Sequence, residues 1–316
     1  MFMDILRSEI YRAAWNNCIV MTDIGFIGAG TMGVSLSRRL LAAGHTVMHL
    51  KDHDQDGNEM ALESVVNIEN ISDFIHRSKV LITCLNDAAE VQTVADQIGP
   101  FLPSLHMWID ATTSDPAVSA DIAASIQAHN CIFADAPVIG RPLEAERGEL
   151  VSLVGCQREK FNQVKTVISA YSHLVQRFGD PGAGHTAKLL NDFVAESTSM
   201  LLIEAFDRAR RAGVDWRALY DVMCVGPARS TALEQMLSPL LDGRSNDIQC
   251  SINNACKNMN YYRQLSAAMD GAPSVLADAV YEMVAAAAKE GRGQDDLSDL
   301  LDEDVITAAK LSHLRI

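Results

Sequence analysis

Short apolar runs alternate with amphipathic stretches through the first half of the chain. Strand-like runs occupy 24–27, 45–50, 80–85, 106–110, 131–134 and 150–154. Apolar residues recur at helical spacing behind the first run (Val34, Leu36, Leu40, Leu41) and again in 88–98 and 117–128. This alternation predicts an α/β, Rossmann-type doubly wound parallel sheet, which binds ligands at the carboxyl ends of its strands.

The pattern becomes helical and poor in strands after Asp180-Pro181-Gly182. A long helix is predicted from Thr186 to about Arg211 and is followed by helices at 216–225, 231–241, 252–268, 277–289 and 297–311. We therefore expect a dinucleotide-binding Rossmann domain at 22–181 and an all-α C-terminal domain for substrate binding and dimerisation at 182–316, joined through the long helix. Residues 1–21 are either a short helical extension or the product of a start assigned too early, since Met21 directly precedes the first strand.

The long helix carries apolar residues on more than one face. A helix of this kind usually packs between domains or subunits, so we expect a homodimer or a higher homo-oligomer. Its apolar positions are Leu189, Leu190, Phe193, Val194, Met200, Leu201 and Ala205.

A glycine-rich turn joins the first strand to the first helix and reads Gly28-Ala29-Gly30-Thr31-Met32-Gly33. Gly28 permits the tight turn, Gly30 allows backbone N–H groups to approach a pyrophosphate, and Gly33 lets helix and strand pack closely. The helix N-terminus adds a partial positive charge. The turn predicts a dinucleotide site, with an accidental glycine cluster as the weaker explanation.

The charge balance limits the partners. The chain has 316 residues with 41 acidic and 26 basic side chains, which gives a formal net charge of −15. Such a surface repels nucleic acid and anionic membranes, and no run approaches the roughly 18 apolar residues of a membrane span. The seven cysteines form no C-x-x-C pair and no metal-ligand cluster, so we expect reduced thiols, no metal and a cytoplasmic protein.

Four further segments, taken in order with the glycine turn, resemble the β-hydroxyacid dehydrogenases, the family of 3-hydroxyisobutyrate dehydrogenase and of tartronate semialdehyde and glyoxylate reductases. They are 110–116 (DATTSDP), 135–138 (DAPV) with Gly148 and Leu150, 182–188 (GAGHTAK), and 291–300 with its Gly291-x-Gly293-x-x-Asp296 core. The resemblance implies an NAD(P)-dependent oxidoreductase that interconverts a small β-hydroxy acid or alcohol and its semialdehyde or keto form.

The family's catalytic lysine falls on Lys188, which the resemblance makes the general acid/base. An amine beside a carbonyl can donate or accept the proton that accompanies hydride transfer. The family has Asn four residues later, whereas this chain has Asp192, preceded by Asn191. A carboxylate one helical turn away favours the charged ammonium, so we expect carbonyl reduction to be favoured unless Asp192 faces solvent or pairs elsewhere.

The substrate loop also departs from the family. Where relatives have Ser-Gly-Gly, this chain has Ile139, Gly140 and Arg141. Arg141 can hold a substrate carboxylate in place of the missing serine, or it can be a surface arginine fixed by Pro142. Thr113 and Asn191 are the other expected substrate contacts, beside Lys188 and Asp192.

Cofactor specificity depends on the end of the second strand. Lys51 and His53 favour a 2′-phosphate and Asp52 favours a ribose hydroxyl, so we lean slightly to NADP over NAD. The resemblance adds Leu85, Asn86, Thr113 and Lys257 as cofactor contacts, although Asn258 stands where the family has Asp after that lysine. Two alternatives remain: an imine reductase-like enzyme, disfavoured by Lys188, and a non-catalytic dinucleotide sensor.

Overall fold

The computed structural model describes residues 21–50, 64–243, 250–271 and 274–301, apart from the side chains of Ser104, Gln127 and Asp270. Residues 1–20 of the predicted extension at 1–21, the cofactor positions Lys51 and Asp52, and the end of the predicted 297–311 helix lie outside these ranges. The chain divides into two compact units between Lys188 and Leu189.

The first unit is built on one sheet, to which nine strands belong in the described part of the chain. Its strand order is β3-β2-β1-β4-β5-β6-β8-β7, with β9 on the other side of β8. The strands are β1 (Asp23–Ile27), β2 (Thr46–Leu50), β3 (Val66–Ile68), β4 (Val80–Thr83), β5 (Met107–Asp110), β6 (Ile132–Asp135), β7 (Val138–Ile139), β8 (Leu150–Gly155) and β9 (Ser172–Gly179).

Helices of this unit connect the strands. They are α1 (Thr31–Ala42), α2 (Ile71–Arg77), α3 (Ala88–Ile98), α4 (Pro116–Ile126), α5 (Pro142–Arg147) and α6 (Phe161–Ile168), with 3₁₀ turns at Gly99–Ser104, Gln127–His129 and Arg158–Lys160. Two apolar clusters form the core, one containing Phe26 and Ile109 and the other Ile27 and Trp108. Successive side chains of a strand point to opposite faces of the sheet, so Phe26 and Ile27 belong to different clusters, as do Trp108 and Ile109.

The predicted doubly wound sheet is confirmed, and its strand order from β3 to β6 is that of a dinucleotide-binding sheet. The sheet is not wholly parallel, however, because β8 runs antiparallel to β6 and β7. The order reverses between β1 and β4, which places a crevice beside the carboxyl ends of these two strands.

The second unit is helical. The helix α7 (Ala183–Arg211) crosses the division, and α8 (Trp216–Val225), α9 (Thr231–Leu241), α10 (Ile252–Asp270) and α11 (Val275–Ala287) follow, with a π turn at Ala288–Arg292 and a 3₁₀ turn at Leu297–Leu301. Phe206, Met236, Ile252, Val284 and Leu300 belong to its core. No described helix has the length and apolarity that a membrane crossing requires.

Candidate active site

The glycine turn fits a dinucleotide. Gly28 has a φ of +123°, and a Cβ there would overlap the carbonyl oxygen of Cys84 at the end of β4, so this position requires glycine. A Cβ at Gly30 would meet nothing within 4 Å. Within the described residues, no side chain caps the start of α1 at Thr31, which leaves its first N–H groups for an anionic ligand. The residues present therefore fit a pyrophosphate.

The ends of the neighbouring strands lie beside this turn. Ile27, Thr83, Asp110 and Asp135 are paired in register across β1, β4, β5 and β6, so each marks the same edge of the sheet. Leu85 and Asn86 follow β4 and Thr113 follows β5, so these three expected cofactor contacts lie at this edge.

Hydrogen bonds fix the loops at this edge. The Leu85 N–H donates to Thr112 Oγ1 at 3.0 Å, and the Thr83 hydroxyl donates to Asp110 Oδ1 at 2.8 Å. The backbone N–H and the side-chain amide of Asn86 both donate to the Glu90 carboxylate at 3.0 Å. These hydrogen bonds lie within the protein and hold the loops in one arrangement, which reduces the entropy cost of binding a ligand.

Asp135 caps the helix that carries Lys188. Its Oδ1 accepts the Gly182 N–H and its Oδ2 accepts the His185 N–H, each at 2.7 Å, and its side chain is fully buried. Burial raises the pKa of the Asp135 carboxyl, while the His185 ring and the two N–H donors act in the opposite direction. Gly155 and Gly184 pack so closely that a Cβ on either would collide with this carboxylate. Asp135 and His185 were not predicted as site residues, because their hydrogen-bond partners lie 47 to 73 residues away in the sequence.

Lys188 lies in the second turn of α7 and is half-buried. Asp192, one turn further along the helix, is 6% exposed, so it does not point into solvent. Asp192 Oδ2 accepts a hydrogen bond from Asn258 Nδ2 at 3.3 Å, and the same amide donates to Glu196 Oε1 at 3.0 Å. The amide must present its nitrogen here because a carboxylate only accepts. Asn191 also donates to Asp192, at 3.2 Å.

Asp192, Glu196 and Asn258 thus form a buried cluster in the second unit, which we call the carboxylate–amide cluster. Glu196 was missed in the sequence analysis, although it lies four residues after Asp192 and therefore shares its helix face. Lys257, adjacent to Asn258 on α10, is half-buried.

Arg141 in the substrate loop is paired within its own segment. Its guanidinium donates to both oxygens of Glu144, at 2.6 to 3.1 Å, and its N–H is capped by the same carboxylate at 2.6 Å. The Arg141 side chain lowers the pKa of Glu144. Ile139 is held in β7 opposite Val151, and Gly140 has a φ of +128°. The conformation of the loop is therefore fixed by contacts within it, chiefly those between Arg141 and Glu144.

Comparisons with known proteins agree with this architecture. Residues 23–179 match the NAD-binding domain of 6-phosphogluconate dehydrogenase, and residues 182–303 match the NAD-binding domain of NADP-dependent 3-hydroxyisobutyrate dehydrogenase. A probable mitochondrial 3-hydroxyisobutyrate dehydrogenase of Dictyostelium discoideum is 25% identical over 296 residues, which cover 88% of this chain and 89% of that protein.

Solved structures share the fold. The 3-hydroxyisobutyrate dehydrogenase of Mycobacterium tuberculosis, solved with L-serine, gives a TM-score of 0.79 at 22% identity and covers 89% of this chain and 98% of its own. An imine reductase from Pseudomonas sp. gives 0.57 at 20% identity, with 92% and 99% coverage. The same architecture thus occurs in a 3-hydroxyisobutyrate dehydrogenase and in an imine reductase.

Proposed function

Because this chain belongs to the β-hydroxyacid dehydrogenase family and is an NAD(P)-binding oxidoreductase, we propose that it interconverts a small β-hydroxy acid or alcohol and its semialdehyde or keto form. The observation that carries the proposal is the placement of Lys188. Its helix begins at the edge of the sheet that also carries the glycine turn, and Asp135 fixes that beginning.

The nicotinamide supplies the hydride when it is bound. Lys188 handles the accompanying proton: its ammonium donates to the carbonyl oxygen during reduction, and its neutral amine takes the hydroxyl proton during oxidation. Asp192 lies buried one turn away on the same helix, where it accepts hydrogen bonds from Asn191 and Asn258, and in this proposal it supports the proton transfer by Lys188.

The other expected contacts have supporting roles in this proposal. The glycine turn, Leu85, Asn86 and Thr113 hold the cofactor, together with Lys257, and Lys51 with Asp52 sets the slight preference for NADP. Thr113, Ile139, Gly140, Arg141 and Asn191 bind the substrate. Arg141 serves a carboxylate-bearing substrate only when its guanidinium is shared between that substrate and Glu144.

We propose a homodimer as the assembly. Leu190, Val194 and Leu201, which we call the apolar stripe, fall within about 40° of one another around α7 at 100° per residue. They are 49%, 63% and 61% exposed. Such a stripe favours burial against a second copy of the chain.

A reductase screen tests the function. Purified protein is assayed with NADH and with NADPH against succinic semialdehyde, tartronate semialdehyde, glyoxylate and a cyclic imine. We expect turnover of a carbonyl compound and a loss of at least about 10²-fold in kcat for Lys188→Ala. The matched control is Lys79→Ala, because Lys79 is an exposed lysine at the opposite end of β4.

Three outcomes contradict the proposal. Turnover of the imine alone favours the imine reductase, which the shared fold keeps as the second candidate. Cofactor binding without turnover of any compound favours a sensor. Full activity of Lys188→Ala excludes the role given to this lysine.

A further inference from the structure

The His185 side chain is completely buried three residues before Lys188, in the first turn of α7. The ring makes two hydrogen bonds: Nδ1 with the Ser119 hydroxyl at 2.7 Å and Nε2 with the Thr112 carbonyl at 2.8 Å. A carbonyl only accepts, so Nε2 carries a proton. In the neutral ring Nδ1 then accepts from Ser119, and the contacts select the Nε2–H tautomer.

Thr112, the partner of Nε2, joins three parts of the sheet edge. Its Oγ1 accepts the Leu85 N–H after β4, and its own N–H donates to Asp110 Oδ1 at 3.1 Å at the end of β5. Its carbonyl accepts from His185. A continuous series of hydrogen bonds therefore runs from the loop expected to contact the cofactor to the helical turn before Lys188.

The imidazole also lies between two buried carboxylates. Nε2 is 3.8 Å from Asp110 Oδ2, and Nδ1 is 4.0 Å from Asp135 Oδ2. Neither carboxylate is exposed, and Asp110 Oδ2 has no hydrogen-bond partner among the described residues. An apolar side chain in this place would leave the buried Thr112 carbonyl without the donor that Nε2 supplies. The buried Thr112 carbonyl thus depends on the imidazole for its hydrogen bond.

The first turn of α7 is consequently fixed both through its backbone and through the His185 side chain. Asp135 binds its backbone N–H groups, and Thr112 with Ser119 holds its first large side chain. We propose that His185 is a positioning residue, which sets the place of Lys188 relative to the strand ends that hold the cofactor. This inference rests on the proposed role of Lys188 as the proton donor.

Kinetics of two variants test the positioning. His185→Leu removes both ring hydrogen bonds, whereas His185→Gln retains a donor that reaches the Thr112 carbonyl. We expect kcat for succinic semialdehyde, or for the carbonyl compound that the screen identifies, to fall by about 10²-fold in His185→Leu, because small misplacements of a reacting group cost this much. The Kd for NADPH stays within about twofold, since the glycine turn is untouched, and His185→Gln recovers most of kcat. Ser119→Ala, which removes only the Nδ1 partner, loses less than His185→Leu.

An imidazole ¹⁵N spectrum of the whole protein tests the geometry without any substrate. We expect His185 to show the Nε2–H tautomer. The Nδ1–H tautomer, a kcat of His185→Leu within about threefold of wild type, or a folded His185→Gln that is as slow as His185→Leu each overturns the inference.

Two further results separate possible failures. If His185→Leu does not fold, His185→Gln decides: a kcat near wild type supports the inference, and a 10²-fold loss in folded protein overturns it. A fully active Lys188→Ala overturns the proposed function itself, whereas an inactive Lys188→Ala beside a fully active His185→Leu overturns only the positioning role.

Discussion

The imidazole of His45 lies at the start of β2 and is 5% exposed. Neither ring nitrogen has a hydrogen-bond partner among the described residues, and burial lowers the pKa of the ring. Because the charged form is the one that burial disfavours, folding keeps His45 neutral at a pH where the unfolded chain already binds a proton.

The free energy of unfolding should therefore fall as the pH drops below about 6.5, the pKa of an exposed histidine, and fall further until the lower pKa of the folded state is reached. The slope due to this one group is at most about 1.4 kcal/mol per pH unit. Urea unfolding at pH 7.5 and 5.5 measures it. A His45→Leu variant lacks this contribution, so its stability should decrease less over the same interval. Equal decreases in both proteins would contradict the prediction.

The role of Arg141 could be predicted only in part from the sequence. The sequence left open whether this arginine binds substrate or is fixed locally, and the structure shows that Glu144 holds it. The Glu144 contact could be suspected from the capping-box spacing, in which an acidic residue at the third helical position binds back to the residue before the helix. Whether Arg141 also binds substrate stays a proposal.

At the scale of elements, α7 and α10 are joined through the carboxylate–amide cluster. The Asn258 amide is the donor that two buried acceptors share, Asp192 and Glu196. An aspartate at 258 would replace that donor by a third carboxylate. The two departures from the family motif, at 192 and at 258, are thus in direct contact.

Asn258→Asp should lower the free energy of unfolding by about 3 kcal/mol, since it places like charges together in a buried site. Adding Asp192→Asn should recover part of this loss, because the pair then has one carboxylate and one amide again, with a coupling of roughly 0.5–3 kcal/mol. Urea unfolding of the four proteins at pH 7.5 measures the coupling. Asn254→Asp, at an exposed position of α10, is the matched control and should change little. Additive effects of the two substitutions would show that the residues do not interact.

Strong periodicity made most elements predictable. The strand, glycine turn and helix at 23–42 and the long helix were found, although α7 starts at Ala183 and not at Thr186. β9 was missed because only Ser172 and Val175 are buried along it, which gives no apolar run. The short helices α2, α5 and α6 were missed as well. Fewer than three turns give too little pattern to distinguish a helix from a loop.

The family, the sheet and the enzyme class followed from ordered local motifs, but the contacts around the site did not. Asp135, His185 and Thr112 meet only in the folded chain, and each pair is separated by more than 20 residues. The spacing of residues within a short motif carries no information about contacts between residues so far apart in the sequence.

At the scale of the whole molecule, the apolar stripe on α7 predicts a change in assembly. Val194→Glu combined with Leu201→Glu should shift the protein from a dimer to a monomer, because burying two carboxylates in an apolar contact is unfavourable. Light scattering after size-exclusion chromatography gives the mass against the 34.4 kDa of one chain. Leu143→Glu, an exposed leucine of α5, serves as the control and should leave the mass unchanged. A monomeric wild-type protein would refute the assembly.

The crowding around Asp135 has a consequence for how this enzyme can diverge. At 155 and 184 any side chain would collide with the Asp135 carboxylate, so these two glycines cannot be replaced during evolution without disturbing the cap. At 139 and 141 the side chains are only half-buried, so a substitution there does not meet the same crowding. If the loop at 139–141 binds the substrate as proposed, new substrates can be acquired by changes in this loop while the turn before Lys188 stays the same.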